Sequence, residues 1–138
     1  MVLGISVTAH GQSFPAKPVR LIVPFSPGGG TDIATRIIAP KLSERFGQQA
    51  IVDNRPGAAG GIGTEATVKS APDGYVLLIG STSEIAISPS LYAKLPYDVL
   101  CDLLAAAPFA STSMVLVVMP ALPVNSAAEL ATLARTPR

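Results

Sequence analysis

"VRLIVPFSPGGGTDIATRIIAPKLSERF", Val19 to Phe46, decides how the rest of the chain is read. An apolar, β-branched run passes through three consecutive glycines into an amphipathic one. The first part, bounded by prolines, predicts a buried strand over Val19 to Phe25. The last part predicts a helix with Thr31 or Asp32 as its N-cap, Ile33, Ile37, Leu42 and Phe46 on one side, and Gly47 as its stop. Pro40 removes one backbone hydrogen bond inside that helix and is expected to kink it. Glycine is tolerated best where φ is positive or where a ligand approaches the main chain. A strand that turns into a helix there leaves free N–H groups at the positive end of the helix dipole, which suits an anion. A tight turn that holds nothing is the competing reading.

Further along, "QAIVDN" predicts a second strand closed by the loop "RPGAAGG", and "YVLLIG" a third that runs into "STSE". A short helix is expected from about Ile62 to Ser70, ended by the turn residues of "APDG". Another is expected through "IAISPSLYAKL". "MVLVVMP" reads as a fourth strand, and Ser126 with Glu129 as a capping box for a helix over "AAELATLAR". Strands alternating with helices, the strands continuously apolar, imply a parallel sheet covered on both faces, an α/β architecture. Ligands of such sheets gather at the carboxyl ends of the strands. The first three strands each end in a loop of small polar or glycine residues: Ser26 to Thr31, Arg55 to Gly61, and Ser81 to Glu84. All three open on one edge.

Composition narrows the function. With 138 residues, 49% hydrophobic and 14% charged, the chain can build a core. A formal net charge of +1 without a Lys/Arg cluster argues against nucleic acid as a partner. No apolar run reaches the roughly twenty residues of a membrane span. "MVLGISVTAHGQ" resembles the tail of a secretory signal, with Ala9 and Gly11 around an A-x-A-like cleavage point before Gln12, and a mobile extension as the alternative. Cys101 is the single cysteine and has no internal disulfide partner.

Little of this chemistry can break bonds. The one histidine, His10, lies in the segment expected to be removed, so neither Ser-His-Asp nor Cys-His catalysis is available to the mature chain. The acids are scattered singly, so no metal site is expected, and no cofactor. No Gly-Lys-Ser/Thr ends the glycine loop, which excludes a Walker A motif. "GIGTEA", Gly61 to Ala66, matches a weak dinucleotide fingerprint with Glu84 some twenty residues on. Six residues separate it from the end of its strand, where the fingerprint should follow directly. A nucleotide-binding domain built on these loops therefore remains an alternative, and a structural fragment without a ligand another. The remaining groups, backbone N–H and hydroxyls at Gly28, Gly29, Gly30, Thr31, Ser81, Thr82 and Ser83, suit a small carboxylate. Asp32 either caps its own helix or meets the ligand through ordered water.

The combination of P-F-x-P-G-G-G-T-D (Pro24 to Asp32), N-R-P-G-A (Asn54 to Ala58) and A-P-D-G-Y (Ala71 to Tyr75), in this order, resembles the substrate-binding proteins of tripartite tricarboxylate transporters, the Bug-type periplasmic receptors. The resemblance covers nearly everything after Phe14. It implies a type II periplasmic-binding-protein fold, two α/β lobes closing on a small carboxylic acid, and delivery of that acid to membrane transporter components. It also implies a receptor and not an enzyme, working in the periplasm. On this reading residues 1–12 are a signal remnant, 13–120 mainly the first lobe, and 121–138 the hinge and a truncated start of the second. The ligand loops would be Phe25, Gly28 to Asp32, and Ser81 to Ser83, with Gly57, Ala58, Ala59 and Gly60 as a third wall. Family members run to about twice this length, in line with two domain-sized lobes. "YDVLCDLLAAAP" departs from the usual D-P-x-K-D-F, with Val99 and Cys101 at the Pro and Lys places, and Pro40 sits where a helix former is usual. An incomplete or degenerate copy is the expectation.

Overall fold

Val19, Leu21, Ile22 and Val23 are between 0% and 2% exposed, so the apolar run after Lys17 belongs to the hydrophobic core. The computed structural model describes residues 14–113 and 115–135. The expected signal segment, with His10, lies outside them. The chain divides after Ala107 into two units.

In the first unit, β1 (Val19–Val23) is flanked by β2 (Ala50–Asn54) and β3 (Val76–Leu78), in the order β2-β1-β3 and parallel throughout. The register pairs Val19 with Ala50 and Val23 with Asn54 on one side, and Arg20 with Val76 on the other. Parallel pairing puts every carboxyl end on the same edge. The third strand is shorter than "YVLLIG" suggests, although Ile79 continues the ladder by donating its N–H to the Ile22 carbonyl at 2.9 Å.

Helix α1 (Gly30–Phe46) runs through Pro40, which is exposed, and stops at Gly47 with φ +64. Its core face is not the expected one. Thr35 and Ala39 are buried, with Leu42 and Phe46 packed against Val19, Leu21 and Val23, whereas Ile33 and Ile37 are 51% and 63% exposed. The period holds and the phase is rotated, because small side chains at 35 and 39 let the helix approach the sheet closely. Helix α2 (Gly61–Val68) uses the same device: a Cβ on Gly63 would stand 2.8 Å from Pro24 Cα and 3.0 Å from the Arg55 carbonyl.

After β3 the chain makes one π turn, Ser83–Ile87, and then α3 (Ser88–Leu91), ending four residues short of the predicted Leu95. Helix α4 (Val99–Asp102) is capped by Asp98, which accepts from Leu100 and Cys101 N–H. In the second unit, Ser126 accepts from Glu129 N–H at 3.2 Å and so caps α5 (Ala127–Arg135), while Glu129 reaches back to Asn125 N–H at 2.7 Å. The fourth strand does not form. Val115 to Met119 adopt no regular structure, and Val115, Leu116, Val117 and Met119 are 69–80% exposed. An apolar run becomes a strand only where another strand accepts its hydrogen bonds, and none pairs with it among the described residues. Met114, its expected first residue, lies outside them.

Candidate functional site

The loop after β1 carries its conformational demand at one glycine. Gly28 has φ +83, whereas Gly29 is extended (φ −74, ψ 164) and Gly30 opens α1. Gly29, and not Thr31 or Asp32, is the N-cap, and no side chain caps the helix. The first helical bond runs from Ile33 N–H to the Gly29 carbonyl, so the N–H groups of Gly30, Thr31 and Asp32 have no acceptor within the helix. Thr31 is half-buried and Gly28 to Gly30 are exposed.

Asp32 does a different job from capping its own helix start. It is 2% exposed, and its Oδ2 accepts the N–H of Gly28 at 2.8 Å. Arg36 Nε donates to both oxygens at 3.0 and 2.9 Å, and Asn54 Nδ2 to Oδ1 at 2.9 Å. Asn54 also donates to the Phe25 carbonyl at 3.1 Å and accepts from Arg36 Nη2 at 2.9 Å. The hydrogen bond from Arg36, then those from Gly28 and Asn54, hold the Asp32 carboxyl down at about 2. Its charge is thereby neutralised locally, and the first loop, with Phe25 at its rim, is tied to the end of β2. The i,i+4 spacing of Asp32 and Arg36 was a legible signal; Asn54 stood out only as the start of N-R-P-G-A at a strand end, which does not name Asp32 as its partner.

The second loop is unusual in its backbone. Gly57, Ala58, Ala59 and Gly60 have φ of +127, +48, +52 and +92, four left-handed residues in succession, two of them bearing a Cβ. Alanine in this region carries strain that the surroundings must hold in place. Gly60 N–H donates to the Gly57 carbonyl at 3.0 Å and Gly61 N–H to that of Ala58. No hydrogen bond engages the N–H of Ala58 or Ala59 among the described residues, and both residues are exposed. Arg55 N–H donates to the Val23 carbonyl at 2.8 Å, which seats this loop beside the first.

The third loop is joined to the second by Glu84, which is fully buried. Its Oε2 accepts the Ser81 hydroxyl at 2.8 Å and its Oε1 the Ser81 N–H at 2.5 Å. A Cβ on Gly60 would stand 3.2 Å from Oε2, so the loop backbone lies directly against the carboxylate. Thr82 is exposed, and Ser83 N–H points at Ser81 Oγ at 3.4 Å. Tyr97, 7% exposed, donates its hydroxyl to the Glu84 carbonyl oxygen at 3.2 Å; burial and then the Glu84 charge push the phenol up, keeping it a donor. Sequence reasoning considered Glu84 only as a ribose ligand, and its burial was not signalled by any motif.

All three loops thus belong to one edge of one unit; the first two present chiefly backbone N–H, whereas in the third the N–H groups of Ser81 and Ser83 are engaged within the loop. No group of three or more potential metal ligands occurs among the described residues.

Residues 34–138 match the sequence profile of the "Tripartite tricarboxylate transporter family receptor", TctC. The chain belongs to that receptor family. Among TctC-type relatives, protein BugT of Bordetella pertussis is 44% identical over 124 residues, which are 89% of this chain and 38% of BugT. The chain therefore spans well under half the length of that relative. A solved structure described as R. palustris Rpa4515 with adipate is 35% identical with a TM-score of 0.71, over 88% of this chain and 41% of that one. MatC from Rhodopseudomonas palustris, with bound malate, is 33% identical with a TM-score of 0.59, over 61% of this chain and 29% of its own. The α/β fold with a parallel sheet is that of these solute-binding proteins. In this TctC chain, the departures at Val99 and Cys101 fall in α4, outside the three strand-end loops.

Proposed function

We propose that this chain supplies the first-lobe wall of an extracytoplasmic receptor that binds a small carboxylic acid and delivers it to a tripartite tricarboxylate-type transporter. The observation that carries the reading is the meeting, on one sheet edge, of the uncapped N-terminus of the 17-residue α1 with the free amides of Ala58 and Ala59. Oriented N–H groups of this kind stabilise a carboxylate without a paired cation. Membership of the receptor family and the adipate and malate named for two similar structures support the choice of ligand class. Phe25, Gly28 to Asp32 and Ser81 to Ser83 would line the site, with Gly57 to Gly60 beside them. Asp32 would act by shaping the first loop.

The receptor binds and releases without turnover, since amides and hydroxyls orient a ligand but offer no general base. It works in the periplasm, with the segment before Gln12 as its export signal. No helix among the described residues is long and apolar enough to cross a membrane. Residues 13–120 would form the first lobe and 121–138 the hinge and entry to a second.

Amide chemical shifts of the 138-residue chain, followed while adipate or malate is added, test this. Gly28 to Thr31, Ala58 and Ala59 should move together along one saturation curve. Shifts confined to other regions, or none at tens of millimolar acid, would remove the loops from the binding site.

A further inference from the structure

Glu84 is the buried charge that the proposed site does not use. It is 0% exposed, and none of the ion pairs among the described residues includes it. Burying a carboxylate without a cation is costly, so its hydrogen bonds must be well made. Both come from one residue: Ser81 gives its N–H to Oε1 and its hydroxyl to Oε2. A serine has no third donor. The Ser81 donors are therefore both engaged, and what remains at its Oγ is acceptor capacity, approached from one side by Ser83 N–H at 3.4 Å. Gly60, with φ +92 and no room for a side chain, lets the second loop lie against the same carboxylate. Tyr97 fixes the main chain of Glu84 from the other direction.

We propose that Glu84 is a positioning residue that sets the polarity of the third loop. It makes Ser81 Oγ an acceptor and gives that side of the site a negative field, so that the receptor prefers small carboxylates bearing a hydrogen-bond donor, a hydroxyl or an ammonium, next to a carboxylate. This rests on the receptor reading above. The carboxylate would meet the amides of α1 and of Ala58 and Ala59, where positive potential gathers. The donor would meet Ser81 Oγ, where a second bare carboxylate would find no proton and a like charge behind it. Removing a buried negative charge from water strengthens its effect on a neighbouring dipole or cation.

Succinate, malate and aspartate share a four-carbon skeleton with two carboxylates; malate adds a neutral hydroxyl and aspartate an ammonium that also changes the net charge, so malate against succinate isolates the hydrogen bond and aspartate adds the charge. In titrations of the 138-residue chain followed by amide shifts, malate or aspartate should bind about fivefold more tightly than succinate, the effect of one net hydrogen bond. Preference for malate alone identifies a hydroxyl subsite, and for aspartate alone an ammonium one. In Glu84→Gln, the new amide can donate to Ser81 Oγ and release the Ser81 proton toward the ligand, so the ratio should fall to about one. Ser81→Ala, which leaves Glu84 in place but removes the acceptor, should do the same and carries the test if the Gln variant does not fold. A merely structural role would weaken all three acids alike and leave the ratio standing. Succinate bound as well as the other two by the unmodified chain, or a ratio unaltered in both variants, overturns the inference while leaving the receptor reading intact. Failure of all three acids to bind removes both.

Discussion

Gly28 and Gly29 stand side by side in the glycine run but bear different loads. Gly28 sits at φ +83 and donates its N–H to Asp32, whereas Gly29 has an ordinary extended backbone, and a Cβ there would meet only the Ser26 carbonyl oxygen, at 3.4 Å. Gly28→Ala should cost about 1–2 kcal/mol, the penalty of a left-handed L-residue. Gly29→Ala should change stability by less than about 0.5 kcal/mol, because the restriction of the unfolded chain is offset by alanine's poorer fit at an N-cap. Urea midpoints of the two variants decide this, and equal losses would place the strain elsewhere. Asp32 gives a pH prediction. Its carboxyl is lowered from 3.8 to about 2 by Arg36, Gly28 and Asn54. A depressed carboxyl stabilises the fold above its unfolded value and ceases to do so as pH falls through the folded one. The stability deficit of Asp32→Asn should therefore be full above pH 4 and shrink as pH falls toward 2; a deficit that stays constant over that range would mean that charge is not what Asp32 supplies. At this scale the sequence placed Asp32 and the glycines but not the partner Asn54, whose position depends on β1 pairing with β2.

The same division appears in whole elements. Three strands were legible because each has a short apolar, β-branched core (Leu21 to Val23 in β1, Ile51 and Val52 in β2, Val76 to Leu78 in β3) bounded by turn residues, a property of the local chain. Residues 115–119 look no different in sequence, yet strand formation also needs an available edge, which no local pattern encodes. The helix after β1 was legible in period and misread in phase. Hydrophobicity points to Ile33 and Ile37, but the sheet selects for close approach and takes Thr35 and Ala39 instead. Two substitutions separate these views. Ala39→Leu should destabilise by about 1–3 kcal/mol by overpacking against β1, while Ile37→Lys, at a 63% exposed position, should change stability by less than about 0.5 kcal/mol. Chemical denaturation gives both numbers, and the reverse ranking would put the buried face of α1 where the sequence alone suggests. In the second loop, left-handed Gly57 and Gly60 were foreseeable from composition; left-handed Ala58 and Ala59 were not, because alanine disfavours that conformation wherever neighbours do not impose it.

For the molecule as a whole, the decisive quantity is how much of a ligand these loops can enclose. Gly28 to Gly30, Ala58, Ala59 and Thr82 are all exposed, so a carboxylate seated on them keeps water on its open side. High affinity for small ligands comes from burying most of their surface. In water-like surroundings a charge gains about a quarter of the Coulomb energy that it gains at the effective dielectric of a partly enclosed protein site, and the loss of translational freedom is still to be offset. The 138 residues should therefore bind adipate or malate with a Kd of about a millimolar or weaker, even though the three loops share one sheet edge. Exposed Val115, Leu116, Val117 and Met119 add a second expectation, concentration-dependent self-association, since contiguous apolar surface seeks cover. Calorimetry with each acid, with sedimentation velocity at matched concentrations, measures both. Micromolar binding by a cooperatively folded monomer would show that one sheet edge encloses its ligand well enough by itself, and the chain would then have to be understood as a self-sufficient one-lobe binding module.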